Sequence, residues 1–332
     1  MNKRGRCAAK IVALALAAVL VPAAGLRAED PKPPAPLTMS TPLTLSGYGQ
    51  AEYVSQQTGV SGFSIHRMRL SLAGEIMKNI KFKLQVDLVR TPVILDAYVD
   101  FGFHSAASVR LGQFKIPFGL EGQTSSPDLD TIDRSQVVTK AAPGWDIGSS
   151  GRDIGAEVMG KAAFLEYALA VVNGTGINKA DTDDRKDLAA RLAVHPFSFL
   201  TLAVAGYDGR TADPVGGAPL KRAKLGLEAA LLYQGLSVKA EFIQAEDGDT
   251  LRQGWYAQGG YFILPKTLQA IVKFDSYDPD RNQALDRTDI WVLGANWFLA
   301  GRTKLQVNFV LTKDEAGNTV NKAIQAQFQA AF

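Results

Sequence analysis

AIQAQFQAAF, residues 323–332, alternates strictly: Ile324, Ala326, Phe328, Ala330 and Phe332 fall on one side of an extended chain, and Ala323, Gln325, Gln327, Gln329 and Ala331 on the other. Successive side chains of a strand point to opposite faces, so the segment has one apolar face and one rich in amides. A strand with lipid on one side and a wet lumen on the other needs that division, and here it closes on an aromatic residue. The pattern predicts the last strand of a transmembrane β-barrel. A soluble edge strand alternates in the same way, so the remainder of the chain must decide.

The N-terminus supports export. Lys3, Arg4, Arg6 and Lys10 precede an apolar run from Ile11 to Val21, followed by Pro22 and the small residues Ala23, Ala24, Gly25 and Ala28. This order reads as a signal peptide over 1–28, with cleavage near Ala28. The run is shorter than the roughly 20 apolar residues a spanning helix requires. Cys7, the single cysteine, would leave with it, so no disulfide or thiol chemistry is expected afterwards.

Removal of 1–28 also changes the meaning of the composition. The formal charge of the 332 residues is +3, and the first 28 hold five cations and no acid, which leaves −2 for the remainder. A nucleic-acid partner loses its support, because no net positive field remains to neutralise phosphates. No apolar run after Val21 is long enough for a helix to cross a bilayer, so a membrane protein of this sequence must be a barrel.

Residues 29–42, EDPKPPAPLTMSTP, read as a proline-rich extended leader, and 43–332 as the barrel. About sixteen strand-like segments follow, the clearest at 79–90, where Ile80, Phe82, Leu84, Val86 and Leu88 alternate with Lys81, Lys83, Gln85 and Asp87. The connections alternate too. Those near 74–78, 104–106, 162, 197–199, 235, 264–266 and 300–301 are short, whereas the intervening ones, 117–151 above all, are mostly long and rich in Gly, Pro or Asp. Short turns on one side and long loops on the other are expected of an even-stranded antiparallel transmembrane barrel with its turns in the periplasm.

ASVRLGQFKIPFG at 107–119 and GRDIGA at 151–156 resemble the phosphate-selective porin O and P family. EYALAVVNGTGINKADTDDRKDLAARL at 166–192 and WYAQGGYFILP at 255–265 continue the resemblance over nearly the whole mature chain. It implies a sixteen-stranded outer-membrane β-barrel, a homotrimer in outer-membrane lipid, and passage of phosphate or related small inorganic anions without cofactor or catalysis.

The candidate anion pathway rests on alternation. Met68, Leu70 and Leu72 share one face of the second strand, so Arg67 and Arg69 share the other and point inward; Lys81 and Lys83 follow by the same logic. A charge placed on lipid near the midplane costs about 2–4 kcal/mol, which makes the assignment firm. The alternative role for these cations is ordinary pairing with Asp87, Asp96, Asp100 or Glu157. Strand 107–116 alternates poorly, and a bulge at Gly112 is expected to turn Arg110, Gln113 and Lys115 inward while Leu111, Phe114 and Ile116 face lipid. The long loop 117–151 is expected to fold into the lumen and narrow it, with Arg134 contributing to the basic track and Asp128, Asp130 and Asp133 opposing it.

Other chemistry finds little footing. His66, His104 and His195 have no metal-ligand spacing, and the acidic run from Asp278 to Asp289 lacks the turn glycine and final glutamate of a calcium loop. No histidine stands in evident company with a serine and an acid, so a barrel-embedded hydrolase has no support. The expectation is a passive channel for small anions, phosphate foremost. A general or cation-tolerant porin, favoured by the charge of −2, is the alternative.

Overall fold

The computed structural model describes residues 42–104, 106–182, 184–211 and 219–332. The signal segment 1–28, and the leader 29–42 except its last residue, lie outside the described residues. Sixteen strands follow in chain order: β1 (Thr44–Gln56), β2 (Gly62–Met77), β3 (Ile80–Asp87), β4 (Ile94–His104), β5 (Ala107–Lys115), β6 (Arg152–Ala162), β7 (Leu165–Val172), β8 (Asp187–Phe197), β9 (Leu200–Thr211), β10 (Leu220–Tyr233), β11 (Leu236–Asp247), β12 (Thr250–Leu264), β13 (Leu268–Asp278), β14 (Thr288–Ala300), β15 (Thr303–Asp314) and β16 (Thr319–Ala331). Each pairs antiparallel with its sequence neighbour, and β16 pairs with β1 to close the barrel. Closure leaves no strand edge with unpaired backbone groups, the condition for a sheet to stand in lipid.

The wall is built by alternation. On β16, Ile324, Phe328, Ala330 and Phe332 are exposed on the outside while Ala323, Gln327 and Gln329 are buried inside, the division expected of the closing strand. The outer surface repeats this with exposed Leu169, Leu192, Leu202, Val204, Leu225 and Leu227 on successive strands. So broad an apolar belt is incompatible with water and suited to hydrocarbon. Aromatic groups mark both rims: Trp255, Phe274 and Trp291 pack together toward the long-loop end, and Phe197, Phe199 and Tyr233 toward the other. Amphipathic rings favour those two depths, where lipid meets water.

Every second connection is a turn of two or three residues, at 78–79, 105–106, 163–164, 198–199, 234–235, 265–267 and 301–302. The others are longer, except for the tight turn at 248–249, against the expectation of mostly long connections on that side. The 116–151 connection is the longest, and it carries α1 (Leu120–Gln123), a single 3-10 turn (Ser126–Asp128) and α2 (Gln136–Ala141).

This loop lies inside the barrel. Phe118, Val137, Val138 and Ala141 pack against inward-facing Ala170, Val172, Ala189, Ala205, Ile243 and Tyr256 in one buried apolar cluster. Two glycines make room for it: a Cβ at Gly226 would come within 3.0 Å of the Phe118 ring, and one at Gly254 within 2.9 Å of Val137. Part of the lumen wall under the loop is therefore apolar and dry.

That packing corrects the reading of strand 107–116. Phe114 and Ile116 do not face lipid; both are buried in the loop cluster, and Leu111 alone of the three is exposed outside. Nor does Gly112 insert a bulge, since the register runs unbroken through it on both sides. It takes a φ of 127° within the continuous ladder, and its backbone lies so close to the Ala97 carbonyl that no Cβ would fit. A bulge does occur at His66, where the pairing of Gln50 with Arg67 is followed by that of Ala51 with Ile65.

Candidate functional site

The loop occupies one side of the lumen, and a cavity remains on the side of β1 to β6. Two kinds of contact hold the loop in place. On the β14–β1 wall, inward amides bond across strands, Gln306 to Asn296, Gln327 to Gln306 and Gln50 to Gln329, and they capture loop carbonyls: Gln329 Nε2 donates to Pro127 O at 3.2 Å, Gln306 Nε2 to Asp130 O at 3.2 Å and Asn296 Nδ2 to the same oxygen at 2.8 Å. Ion pairs do the rest. Lys239 meets Asp130 at 2.6 Å, Lys273 meets Glu121 at 2.7 Å, and Arg222 and Lys224 both meet Asp146 at 2.8 Å. Seven cations, counting Arg191, Arg252 and Lys304, are thus drawn to the loop side or its flanking acids and kept from the passage.

The free side has a different character. A cavity of about 290 Å³ lies between β2–β6 and the loop segment 123–127, and reaches Arg302 in the 301–302 turn. Arg69, Lys83, Arg110, Lys115, Arg152 and Arg302 line it, and Asp96 is the one acid among the lining residues. The expected inward residues Arg69, Lys83, Arg110 and Lys115 are therefore brought together. Arg67 is inward but buried one step away, bonded to Gln50 at 2.8 Å with its Nε lacking a partner. Arg134 is a buried brace within the loop; it lies over the Trp145 ring at 4.6 Å and donates to the Glu121 and Thr124 carbonyls at 3.1 and 2.7 Å. Burial pulls its proton affinity down, Glu121 opposes that, and Arg67, Arg69 and Arg152 add to it.

Carboxylates stand behind most of these cations. Asp87 receives Arg69 Nε at 2.9 Å, and Asp96 receives Arg152 at 2.6 Å and Lys83 at 3.4 Å. Asp100 takes Arg110 through two bonds, of 2.7 and 3.0 Å, while Glu157 approaches from β6 at 3.3 Å. The four acids that offered an alternative partnership are all engaged. The Arg110 guanidinium, with all three of its nitrogens engaged by Asp100 and Glu157, also lies 4.0 Å over the Tyr98 ring.

Lys115 departs from the expected role. Its ammonium donates to the Gly122, Gln123 and Thr124 carbonyls at 3.1, 2.9 and 3.0 Å, which spends all three protons on the C-terminal end of α1. It contributes charge to the cavity and grip to the loop. Sequence reasoning missed Arg152 and Arg302. The first stood in the GRDIGA motif at the start of β6; the second lies in a two-residue turn, where no periodicity can assign a direction.

The model of the phosphate-selective porin O and P family matches residues 45–204 and 200–332. The chain belongs to that family. Among solved structures, the anion-selective porin from Comamonas acidovorans has a TM-score of 0.71 at 16% identity, covering 88% of this chain and 100% of that one. The trimer form of OmpT from Vibrio cholerae gives 0.62 at 10% identity, covering 88% and 99%. A protein of uncharacterised function from Aquifex aeolicus (strain VF5) is 25% identical over 338 residues, which is 81% of this chain and 80% of its own length. This porin is a channel of the bacterial outer membrane, so its short turns face the periplasm and its long loops the exterior.

Proposed function

We propose that the porin passes small inorganic anions by passive diffusion, phosphate foremost, through the space between the loop and β2–β6. The observation that carries this reading is the cavity with six cations and one acid on its surface. A multivalent oxyanion can exchange part of its hydration for guanidinium and ammonium donors at several weak positions in turn, and weak multiple sites allow release as well as admission. The anion selectivity of the Comamonas acidovorans porin, which shares the fold, agrees with it. The same likeness to porins, together with the broad apolar outer wall, supports a homotrimer in outer-membrane lipid.

A second reading, a general or cation-tolerant porin, draws on the acids that back Arg69, Arg110 and Arg152. Reversal potentials across a planar bilayer separate the two. In asymmetric potassium chloride the sign should show anions favoured, and phosphate added to symmetrical chloride should reduce the current. A potential of the opposite sign would reject the anion reading.

A further inference from the structure

On the external side of α2 a second cavity, of about 410 Å³, opens between that helix, the start of β12 and the 279–287 connection. It shares no lining residue with the basic passage. Four charged side chains line it, and they are not equivalent. Asp146 is committed to the wall through Arg222 and Lys224. Arg252 is held only by Asp247, at 3.4 Å, and stays one-third exposed. Lys140 donates to the neutral Gln136 Oε1 at 3.1 Å and lies 5.1 Å over the Tyr277 ring; Asp275 on β13 acts on it through space, without an ion-pair contact. Asp286 Oδ1 is shielded from solvent and accepts no hydrogen bond.

The cavity thus offers one cation without an ion-pair contact, a second that is paired yet one-third exposed, and one carboxylate oxygen in want of a donor. A shielded acceptor without a partner is costly, and a ligand that supplies a donor recovers that cost. A simple anion would be opposed by Asp286, and a simple cation by Lys140 and Arg252. A molecule with both signs satisfies all three. We propose that this cavity binds small zwitterions of the α-amino-acid class, the ligand carboxylate on Lys140 and Arg252, its ammonium on Asp286, and its side chain toward Pro279 and Tyr277. It is an external binding site distinct from the anion passage and independent of that reading.

The test is ligand-observed saturation-transfer NMR on the full-length porin in detergent, with L-leucine as the probe. N-acetyl-L-leucine lacks the ammonium and L-leucine methyl ester lacks the carboxylate, so each should bind about tenfold more weakly. Lys140→Gln and Asp286→Asn should each weaken L-leucine by a similar factor while the chloride reversal potential stays at the wild-type value. Heat-modifiability on gels verifies that the variants are folded, and Lys140→Gln, on a loop helix, serves alone where Asp286→Asn does not assemble. No saturation transfer to L-leucine in the wild type, equal binding of either analogue, or undiminished binding in a folded variant overturns the proposal.

Discussion

The Lys239 ammonium on β11 and the Asp130 carboxylate of the inward loop meet at 2.6 Å, inside the barrel. Gln258 Nε2 donates to the same carboxylate at 2.6 Å, and the Asp130 carbonyl is held by Asn296 and Gln306. With Gln269 Nε2 also donating to the carboxylate at 3.5 Å, this one loop residue is gripped by five strands, β11 to β15. That grip fixes where the loop stands against the β11–β15 wall.

Asp130→Ala should loosen the loop without opening the barrel, since no strand pairing depends on it. Loss of a charge-assisted hydrogen bond of this kind weakens docking by about 1–3 kcal/mol. Single-channel recordings should show noisier current with larger excursions, bounded above by a variant in which 118–150 are replaced by a short linker. That deletion should raise conductance several-fold. Unchanged traces in folded Asp130→Ala protein would mean that the apolar cluster alone holds the loop.

Selectivity is best probed at the cations least involved in the fold. The Lys83 side chain is 33% exposed with Asp96 at 3.4 Å, and that of Arg302 is 62% exposed beside Asp128. Exposed pairs of this kind contribute about 0–1 kcal/mol to stability, so Lys83→Gln with Arg302→Gln should leave the barrel intact. The reversal potential should move toward the cation side and the phosphate block should weaken, each by a few-fold in ratio. Arg110→Gln is a poorer probe, because it strands Asp100 and Glu157 without their partner.

Much of the barrel was legible because lipid enforces alternation: Gln327 and Gln329 could not face hydrocarbon, nor could Arg67 and Arg69, and all four are inside. The failure at Phe114 and Ile116 has a physical cause. Alternation equates apolar with outward, and that equation breaks where a folded loop makes part of the lumen dry. Lys115 was placed on the correct side, yet its engagement with α1 was invisible without knowing where the loop turns. His66 entered the lumen through a bulge that no glycine announced. The acids behind Arg69, Arg110 and Arg152 could be named from sequence, but cross-strand register decides which acid meets which cation.

Gly112→Ala should be strongly disruptive for a residue of its size. The φ of 127° is foreign to a side chain with a Cβ, and the added methyl would run into the Ala97 carbonyl. Strain of this order is about 1–3 kcal/mol, and a backbone shift that relieves it should disturb the adjacent Phe114 and Lys115 contacts with the loop. A lower midpoint for loss of heat-modifiability, together with noisier current, is the expected pair of results. A wild-type midpoint would show that β5 tolerates the added methyl.

The C-terminal phenylalanine closes the seam. Gly47 N–H donates to Phe332 O and Phe332 N–H donates to Gly47 O, both at 3.0 Å, while the ring lies outside, 73% exposed, on the lipid-facing side near Leu70. Deleting Phe332 removes the last backbone pair between β16 and β1 and leaves two Gly47 groups unpaired at the membrane boundary, where water compensates only in part. Phe332→Ala keeps the backbone pair and removes only the ring. Export should be intact in both strains. Membrane-integrated, heat-modifiable protein should fall most in the deletion and less in Phe332→Ala, which separates the hydrogen-bonded seam from the aromatic anchor. Equal losses would assign the whole effect to the ring, and wild-type levels in the deletion would remove Phe332 from barrel closure.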